Sequence, residues 1–466
     1  MAEIFDVVII GSGPGGYVGA VRGAQLGLKV AIVEKDPTLG GTCLNVGCMP
    51  SKVLLESSEH YAQANHELSE HGVDVSGVKL NLPNMMKRKD KIVGDLTGGI
   101  QYLMDKNKVT VFKGMGKILS AGKVEVSGES TQVIECKNIV IATGSVPVEL
   151  PFMPFDGENI ISSTEALSLS EVPKHLIVVG GGAIGLEMGS VWMRLGAEVT
   201  VIEFADKICG PMDNQISKDL LRVLKKQGMK FMLSTKVTGG SVNGKSVTID
   251  FEALKDGQKG SVEGSKVLVS VGRKAFTGSL GVDGVGVKTD QRGFVEIDGH
   301  YQTSVPGIYA MGDVVGGAML AHKAEEEGVA VMEIIAGKKG HVNYETVPSV
   351  IYTWPEVASV GKTEEELKSA GVDYASGSFP FSANGRAKAL NCTDGKVKIL
   401  ADKKTDKVLG VHIVGPRASD MIAEAVVAME FGASSEDIAL SFHAHPTLAE
   451  VMREAALAVD KRARQM

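Results

Sequence analysis

Apolar residues in the first part of the chain form short unbroken runs separated by amphipathic stretches. Residues 7–10 are entirely apolar and are followed by several glycines and a helical pattern, and residues 30–33 form a second apolar run. Such short runs are typical of strands buried on both faces of a parallel sheet. The pattern therefore predicts a strand–helix–strand unit at the start of an α/β protein.

The same unit occurs a second time, with apolar runs at residues 177–179 and 199–202. Gly27 lies 16 residues after Gly11, and Gly196 lies 16 residues after Gly180. In each copy a glutamate, Glu34 or Glu203, lies 23 residues after that glycine and ends the second strand. Dinucleotide-binding units typically contain a strand, a glycine-rich loop, a helix, a second strand and an acidic residue in this order. Because the chain contains this series twice, we do not interpret the glycines as two ordinary turns.

Each glycine of these loops has a physical reason. The first permits a tight turn, the second lets the backbone approach a pyrophosphate, and the third lets helix pack on strand. The glutamate accepts hydrogen bonds from ribose hydroxyls and repels a 2′-phosphate, which favours NAD over NADP at the site that binds nicotinamide. The predicted loop residues are Gly11, Gly13 and Gly16 in the first copy and Gly180, Gly182 and Gly185 in the second.

The rest of the chain gives a coarser pattern. Helical regions are predicted at about residues 46–70 and 83–107, a hairpin strand at 246–250, and a buried strand ending in Gly312-Asp313. From about residue 347 strands alternate with apolar-faced helices, including residues 423–431, without a phosphate loop. We interpret this last region as a packing or dimerisation domain.

Composition narrows the possible functions. The chain has 466 residues, 44% of them hydrophobic, a net charge of −7 and no long block of like charges. These values favour several folded domains and argue against nucleic acid as the main partner. Five cysteines are too few for a disulfide scaffold. No apolar stretch is long enough for a membrane span, and the first residues resemble neither a secretory signal nor a transit peptide.

Cys43 and Cys48 are the candidate redox pair. Their spacing is not a usual zinc pattern, and no second pair completes a four-ligand site, so we predict no metal. Five residues of regular helix separate Cα atoms by about 7.5 Å, beyond the roughly 7 Å that a disulfide tolerates. We therefore expect Cys43 in irregular chain and Cys48 at a helix start, where backbone dipoles favour a thiolate. Lys52, one helical turn later, could stabilise that charge, although it could also be a solvated helix lysine. Cys136, Cys209 and Cys392 are interpreted as structural.

His445 is a candidate acid–base group for thiol–disulfide exchange. Exchange requires a base for the attacking thiol and an acid for the leaving sulfur, and histidine titrates in that range. Pro446 restricts the backbone of His445, and Glu450 could orient its ring. Alone, this histidine would be weak evidence, because most such residues are structural.

Together these motifs resemble the pyridine nucleotide–disulfide oxidoreductases over essentially the whole chain. The resemblance is carried by residues 40–52 around the two cysteines and by Ala142-Thr143-Gly144, Ile184-Gly185-Leu186-Glu187, Gly312-Asp313 and His445-Pro446-Thr447. It implies two Rossmann-like domains, the first for FAD and the second for NAD, with a C-terminal α+β dimerisation domain. The implied domains are residues 1–148 (FAD), 149–275 (NAD), 276–346 (a central domain completing the FAD site) and 347–466 (the interface).

The resemblance also implies residue roles. Cys43 is the thiol that exchanges with substrate, Cys48 the thiolate against the flavin, and His445, oriented by Glu450, the acid–base catalyst that reaches the cysteines of the other subunit. Glu187 is expected to pair with Lys52. The implied FAD residues are Gly11, Gly13, Gly16, Glu34, Lys35, Gly41, Thr42, Lys52, Gly116, Thr143, Gly144, Ser145, Gly312, Asp313, Met319, Leu320, Ala321 and His322. The implied NAD residues are Gly180, Gly182, Gly185, Glu187, Glu203 and Gly272.

Within this family the chain is most similar to members that oxidise protein-bound dihydrolipoamide. The implied partners are lipoyl domains of E2 or of the glycine cleavage H protein, the E2 subunit-binding domain and a second copy of the chain. Other disulfide reductases fit less well: glutathione reductase favours cations near Glu203, and mercuric reductase carries a further C-terminal cysteine pair. An adaptor flavoprotein is the alternative outside the enzymes. We expect a bacterial cytoplasmic protein, or a mitochondrial matrix protein if the chain is a processed eukaryotic one.

Overall fold

The computed structural model describes residues 4–465 and has the α/β architecture that the apolar pattern predicts. Within this described range, no helix is long and apolar enough to cross a membrane. The strands are β1 (Ile4–Ile10), β2 (Val30–Glu34), β3 (Thr110–Lys113), β4 (Met115–Ser120), β5 (Lys123–Ser127), β6 (Thr131–Ile141), β7 (Ser145–Pro147), β8 (Ile160–Ile161), β9 (His175–Val179), β10 (Glu198–Ile202), β11 (Lys230–Met232), β12 (Thr235–Asn243), β13 (Ser246–Ala253), β14 (Lys259–Gly264), β15 (Lys266–Val269), β16 (Arg273–Ala275), β17 (Ile308–Ala310), β18 (Ser349–Ile351), β19 (Glu356–Gly361), β20 (Tyr374–Pro380), β21 (Lys396–Asp402) and β22 (Val408–Gly415).

Helices lie between several of these strands along the chain. They are α1 (Pro14–Gln25), α2 (Gly41–Asn45), α3 (Cys48–His66), α4 (Leu82–Lys106), α5 (Ser163–Ala166), α6 (Ala183–Arg194), α7 (Asn214–Lys226), α8 (Val282–Val285), α9 (Ala321–Ile335), α10 (Glu364–Ser369), α11 (Gly385–Ala389), α12 (Ala418–Glu430), α13 (Ser435–Leu440) and α14 (Glu450–Val459).

The described chain forms two compact units. The first contains residues 4–54, 81–148 and 272–342, and the second contains residues 55–80, 149–271 and 343–465. Each unit therefore combines segments that are far apart in sequence. The four domain boundaries implied by the resemblance remain predictions.

The first unit is built on a seven-stranded sheet. Its parallel part has the order β3-β2-β1-β6-β17, and β5 and β4 continue from the first half of β6 as antiparallel strands. Val7 and Ile9 of β1 lie in the core on one face, and Val8 and Ile10 lie in the core on the other. An apolar run without alternation is thus explained, because both faces of this strand are covered.

The second unit contains the repeated sheet, with parallel order β11-β10-β9-β15-β8. The first four strands match β3-β2-β1-β6 of the first sheet in position and chain order, so the sequence repeat is a structural repeat. The fifth strands differ, because β17 follows β6 along the chain whereas β8 precedes β9. An antiparallel three-stranded sheet, β12-β13-β14, contains the predicted hairpin strand. A five-stranded antiparallel sheet, β18-β19-β22-β21-β20, supports α12 and α14 in the predicted dimerisation region.

The coarse helix and strand predictions are confirmed with small boundary shifts. The predicted helix at 46–70 is α3, which ends at His66 and is followed by a separate 3-10 turn, Leu68–His71. The predicted helix at 83–107 is α4, capped by the Asn81 side chain. The predicted helical residues 423–431 fall almost entirely within α12, and the predicted Gly-Asp strand is β17.

Candidate functional site

The first glycine loop joins β1 to α1 and leaves the helix start open. Gly11 has a φ of +107°, and a Cβ there would lie 2.4 Å from the carbonyl oxygen of Ala142. A Cβ on Gly16 would lie 2.0 Å from the carbonyl oxygen of Gly11, so only glycine allows this packing of helix on strand. Gly13 caps α1 without a side chain, and a Cβ there would have no neighbour within 4 Å. The helix N–H groups and the space beside them fit a pyrophosphate.

The second loop repeats this geometry. Gly180 has a φ of +108°, and a Cβ there would lie 2.6 Å from the carbonyl oxygen of Ser270. A Cβ on Gly185 would lie 2.2 Å from the carbonyl oxygen of Gly180. Gly182 caps α6 with open space around it. A second dinucleotide phosphate therefore fits here for the same reasons.

Glu34 lies buried at the end of β2, beside the first loop. Its carboxylate accepts hydrogen bonds from Ser12 N at 2.9 Å, Ser12 Oγ at 2.5 Å and Asp36 N at 2.8 Å. These contacts fix an acceptor where an adenosine ribose would be expected. Lys35 is exposed, and its Nζ lies 2.7 Å from Asp36 Oδ1.

Glu203 lies at the matching position of the second loop. Its carboxylate accepts hydrogen bonds from Gly181 N at 2.6 Å and Ala205 N at 2.7 Å. Glu187, on α6, is buried and accepts a hydrogen bond from Tyr352 N at 3.0 Å. Gly272, the other predicted NAD residue, belongs to the first unit rather than to the unit that holds this loop.

Asp313 lies in a 3-10 turn, Gly312–Val315, directly after β17. Ser145 Oγ donates to Asp313 Oδ2 at 2.5 Å, and Arg273 donates to Ser145 Oγ at 2.7 Å and to its carbonyl at 2.6 Å. Three segments that are distant in sequence thus position the predicted ribitol acceptor.

A buried ion pair that sequence analysis missed supports the same turn. Lys323 donates to the carbonyls of Gly312 and Gly316 at 3.2 and 3.1 Å and to Glu327 at 3.1 Å. Glu327 in turn accepts from Gly312 N at 2.7 Å. An (i, i+4) Lys–Glu pair normally indicates a solvent-exposed helix face, so the sequence offered no signal for burial.

The other predicted FAD residues of the first unit lie on its sheet edge and on the starts of α2, α3 and α9. Thr143 Oγ1 donates to the carbonyl of Phe276 at 2.7 Å. A Cβ on Gly116 would lie 2.8 Å from a methyl carbon of Ile10, so this glycine is required by core packing. The residues in this group are Gly41, Thr42, Lys52, Gly116, Thr143, Gly144, Met319, Leu320, Ala321 and His322, and their contacts with FAD remain predictions.

The expectation that Cys43 lies in irregular chain is wrong, whereas the expectation that Cys48 lies at a helix start is confirmed. Cys43 lies inside α2, and Cys48 is the first residue of α3. Gly40 and Gly41, with φ of +104° and +57°, turn the chain into α2, and Val46, with a φ of −140°, ends it. The two thiols are brought together by two helices with a break between them, so the Cα separation expected for one regular helix does not apply.

The thiols form a close pair beside the first loop. Neither cysteine is joined in a disulfide, and the side chains of Cys43 and Cys48 are linked by a hydrogen bond. That hydrogen bond from Cys43 and the burial of its thiol both raise the pKa of Cys43. A Cβ on Gly41 would lie 2.6 Å from Gly13 Cα, so the start of α2 abuts the phosphate loop. A dithiol beside a dinucleotide site is suited to two-electron transfer.

Tyr17 and Glu325 also lie near the thiols and were not found from sequence. Tyr17 Oη donates to Glu325 Oε1 at 3.3 Å. Burial raises the pKa of Tyr17, and the charges of Glu325, Cys43 and Cys48 raise it further. The two residues are 308 positions apart, and neither belongs to a motif.

His445 and Glu450 form the predicted histidine–carboxylate pair in the second unit. His445 Nδ1 lies 3.0 Å from Glu450 Oε1, and Thr447 N donates to Glu450 Oε2 at 2.9 Å. Burial raises the pKa of Glu450, but hydrogen bonds from Thr447 and His445 outweigh it and hold that pKa below its usual value. The His445 side chain is 75% exposed, which leaves its Nε2 edge open to solvent.

Comparison with known families gives two matches. Residues 5–328 match the family model of pyridine nucleotide-disulphide oxidoreductases, and residues 347–456 match the dimerisation domain of the same family. The second match covers the region that the sequence pattern indicates as a packing or dimerisation domain.

Comparison with individual proteins gives similar results. The chain is 56% identical to mitochondrial dihydrolipoyl dehydrogenase 2 of Arabidopsis thaliana, over 97% of this chain and 90% of that one. It is 52% identical to dihydrolipoyl dehydrogenase of Cupriavidus necator over 99% of both chains. Among solved structures, LpdA of Mycobacterium tuberculosis matches with a TM-score of 0.89 and 27% identity, over 97% of this chain and 99% of that one.

Proposed function

Because the chain belongs to the pyridine nucleotide-disulphide oxidoreductase family, we propose that Cys43 and Cys48 oxidise dihydrolipoamide carried on a partner protein. The chain is an FAD-dependent, NAD-linked disulfide oxidoreductase. The observation that supports the residue assignment is the contact between the thiols of Cys43 in α2 and Cys48 at the start of α3, next to the first phosphate loop. The curated relatives named dihydrolipoyl dehydrogenase support the choice of substrate.

The residues of both loops fit the two cofactors. The open start of α1, Glu34 and the Ser145–Asp313 pair would hold the pyrophosphate, adenosine ribose and ribitol of FAD. The open start of α6 and Glu203 would hold NAD. When bound, FAD and NAD⁺ carry the two electrons from the dithiol to the nicotinamide.

Thiol exchange is the step that this chain's residues perform. With the pair oxidised to a disulfide, one substrate thiolate attacks Cys43 Sγ, and the Cys43–Cys48 bond breaks, so that Cys48 leaves as a thiolate. The second substrate thiol then attacks the substrate sulfur bound to Cys43, releasing oxidised lipoamide and the Cys43 thiol. Two substrate thiols become one disulfide, and the protein disulfide becomes two thiols, so that atoms and electrons balance.

His445 is proposed to accept the proton of the attacking thiol and to return it to the leaving sulfur. Its Nδ1 is engaged by Glu450, so its Nε2 would face the substrate. The pair lies within the segment that matches the dimerisation domain. Its exposure is consistent with a role at the active site of a second copy, as the family resemblance implies.

Lipoyl domains of E2 or of the glycine cleavage H protein are the proposed protein substrates, and the E2 subunit-binding domain is the proposed docking partner. Relatives include proteins named mitochondrial, from plants, and a bacterial protein. We propose a bacterial cytoplasmic location, or the mitochondrial matrix for a processed eukaryotic chain.

The test is an assay of the holoenzyme for reduction of NAD⁺ by free dihydrolipoamide, repeated with NADP⁺. We expect turnover with NAD⁺, much less with NADP⁺, and a loss of about a hundredfold or more in His445→Gln. Lys461→Gln provides a matched control, because Lys461 is exposed on the same C-terminal segment. Turnover with NADP⁺ alone would favour another reductase of the family, and no turnover with either would favour an adaptor.

A further inference from the structure

A buried Lys–Glu pair of α9 contacts both ends of the 3-10 turn that carries Asp313. Lys323 and Glu327 are one helical turn apart, and the side chain of each is only 2% exposed. Lysine and glutamate are seldom buried this deeply unless their polar groups have partners inside the protein. The turn, which begins at Gly312 and is followed by Gly316, supplies several of those partners.

The ammonium of Lys323 uses all three of its donors. It donates to the carbonyl oxygens of Gly312 and Gly316 at 3.2 and 3.1 Å, and to Glu327 Oε2 at 3.1 Å. An ammonium has three N–H groups and no acceptor, so these three oxygens fill its hydrogen-bonding capacity. The two glycines flank Asp313, and one cation therefore fixes the turn on both sides of that residue.

The carboxylate of Glu327 holds the same turn through a backbone N–H. Its Oε2 accepts a hydrogen bond from Gly312 N at 2.7 Å. The N–H of Gly312 is thus bound by the anion and its carbonyl by the cation, which fixes the two peptide groups before Asp313. Hydrogen bonds in which one partner is charged are stronger than those between neutral groups. The charges of the pair therefore contribute to the conformation of the turn.

Helix α9 is itself fixed against α1, at whose start the pyrophosphate is proposed to bind. A Cβ on Gly15 would lie 2.8 Å from the carbonyl oxygen of Ala324, and one on Gly328 would lie 2.5 Å from the carbonyl oxygen of Gly15. Ala324 and Gly328 directly follow Lys323 and Glu327 in sequence. The same two turns of α9 thus contact α1 with their backbone and the 3-10 turn with their charged side chains.

The carboxylate of Asp313 is held from a second direction. Its Oδ2 accepts a hydrogen bond from Ser145 Oγ at 2.5 Å, and Arg273 donates to the same hydroxyl at 2.7 Å. These contacts come from β7 and β16 and act on the side chain. The contacts of Lys323 and Glu327 come from α9 and act on the backbone, and all of these residues belong to the first unit.

We propose that Lys323 and Glu327 are positioning residues for FAD, which set the place of Asp313 relative to the start of α1. The inference rests on the proposed FAD site of the first unit. When the balance of charge in the pair is lost, the turn loses its fixed conformation, and FAD leaves the protein faster. The pair serves cofactor retention and takes no part in the exchange step.

The experiment measures the rate of FAD release from the purified holoenzyme in a fixed, sub-denaturing concentration of urea. Released flavin is separated by ultrafiltration and quantified by its absorbance. Lys323→Met should release FAD about tenfold faster or more, because the buried carboxylate of Glu327 loses its cation and two carbonyls lose a donor.

A second substitution separates charge from packing. Lys323→Met/Glu327→Gln should release FAD more slowly than Lys323→Met, because the amide oxygen can still accept from Gly312 N and no buried charge is left unpaired. If the pair only fills space, the double variant should release FAD at least as fast as the single one. That result would overturn the role of the charges.

A double-mutant cycle tests whether the pair acts through Asp313. Asp313→Asn should by itself release FAD about tenfold faster, and adding Lys323→Met to it should change the rate by less than about threefold more. Factors that multiply would show that the two act independently and would overturn the positioning role. The KM for NAD⁺ of FAD-loaded Lys323→Met should stay within about twofold of wild type, since its proposed site lies in the second unit.

Lys91→Met is the matched control. Lys91 and Asp95 form an (i, i+4) pair on α4 of the same unit, with side chains 74% and 64% exposed. Exposed pairs contribute little to stability, so this variant should release FAD at the wild-type rate. If Lys323→Met yields no soluble holoenzyme, Glu327→Gln replaces it and should release FAD about three- to fivefold faster, because the ammonium of Lys323 then lacks an anion.

The outcomes distinguish this inference from the proposed function. If Asp313→Asn releases FAD at the wild-type rate, the FAD site assigned to the first unit is overturned. If Asp313→Asn releases FAD faster but Lys323→Met and Glu327→Gln do not, that site stands and the role of the Lys323–Glu327 pair is overturned.

Discussion

The two glycine loops share a backbone geometry but differ in the segment that comes after the second strand. Gly11 and Gly180 have φ values of +107° and +108°, and Gly16 and Gly185 approach the preceding carbonyl equally closely. After β10, the second copy continues through a loop into α7. After β2, the first copy continues into α2 and α3, which carry the cysteines. The nucleotide frame is therefore repeated, and the redox chemistry belongs to the segment that only one copy has.

The acidic residues at the strand ends differ in the same way. Glu34 accepts hydrogen bonds from the Ser12 hydroxyl and from backbone, whereas Glu203 accepts them from the backbone N–H groups of Gly181 and Ala205. A serine in the first loop and a glycine in the second account for this difference. Glu34 therefore has a side-chain hydroxyl donor that Glu203 lacks.

The largest expected loss of activity comes from a substitution in the α2–α3 segment, which only the first copy has. Cys43→Ser should reduce dihydrolipoamide oxidation by about a thousandfold or more, because the disulfide sulfur that the substrate thiolate attacks is lost. Reduction of ferricyanide by NADH should remain, since it does not require the exchange thiol. Cys392→Ser, which changes a cysteine outside the pair, is the matched control. Dihydrolipoamide turnover at the wild-type rate in Cys43→Ser would contradict the assignment.

Substitution of the third glycine should weaken FAD binding in the first loop, at Gly16, and NAD⁺ binding in the second loop, at Gly185. An alanine at Gly16 or Gly185 would place its Cβ about as close to a backbone oxygen in either loop, 2.0 and 2.2 Å. We expect Gly16→Ala to purify with most of its FAD missing. Gly185→Ala should keep FAD but raise the KM for NAD⁺ by about tenfold or more, as overpacking costs about 1–3 kcal/mol.

The control for this pair is Gly98→Ala, at an exposed position of α4 where a Cβ meets no atom within 4 Å. It should retain FAD and the KM for NAD⁺. Flavin content from absorbance and steady-state kinetics are the measurements. Loss of FAD in Gly185→Ala but not in Gly16→Ala would reverse the assignment of the loops.

Removing the charge of Glu203 should change the choice of nicotinamide nucleotide. In Glu203→Gln we expect the ratio of kcat/KM for NADP⁺ to that for NAD⁺ to rise about tenfold, because repulsion of the 2′-phosphate is lost. Glu198→Gln removes an exposed charge from β10, the strand that precedes Glu203, and should leave the ratio unchanged. An unchanged ratio in Glu203→Gln would place the ribose elsewhere.

The smallest effect concerns a buried charge cluster that the second unit has at the start of α7. Lys398 Nζ lies 2.8 Å from Asp213 Oδ2, which belongs to the residue capping α7, and 2.5 Å from Glu364 Oε2. Burial raises the pKa of Glu364, but hydrogen bonds from Lys368, Lys398 and Tyr374 outweigh it and lower that pKa to about 2.

Because the folded pKa of Glu364 lies below its unfolded value, its charge stabilises the fold above that unfolded value. This contribution is lost as pH falls through the range from the unfolded pKa, 4.5, towards about 2. Glu364→Gln should therefore lower Tm by a few degrees at pH 7, and the difference should shrink as pH falls below about 4.5. A Tm difference that stays constant down to pH 3 would contradict the role of this charge.

Much of the nucleotide frame could be predicted because its determinants are local. Each unit's first strand, loop glycines and glutamate lie close together in sequence. Their spacing therefore predicts the strand–loop–helix–strand conformation directly. The position of Cys43 could not be predicted this way, because Gly40 and Gly41 start a separate short helix that hydrophobic periodicity does not reveal.

Contacts between distant segments were missed for a different reason. Tyr17 meets Glu325, and Arg273 meets Ser145, only after α1, α9 and the sheet edges have packed. The Lys323–Glu327 pair has the spacing of an exposed helix pair, yet both residues are almost fully buried. Burial and long-range pairing are properties of the tertiary fold, so local sequence patterns do not reveal them.

The contact between Gly41 and Gly13 has a consequence for the chain without its flavin. The backbone that presents the sulfurs rests directly on the backbone that would clasp the pyrophosphate. If loss of the flavin displaced this loop, the two thiols would be exposed to exchange with small disulfides in the cell, in which a protein thiolate forms a mixed disulfide and one small thiol leaves. Prompt flavin loading during biosynthesis would then protect the chain from covalent damage as well as make it active.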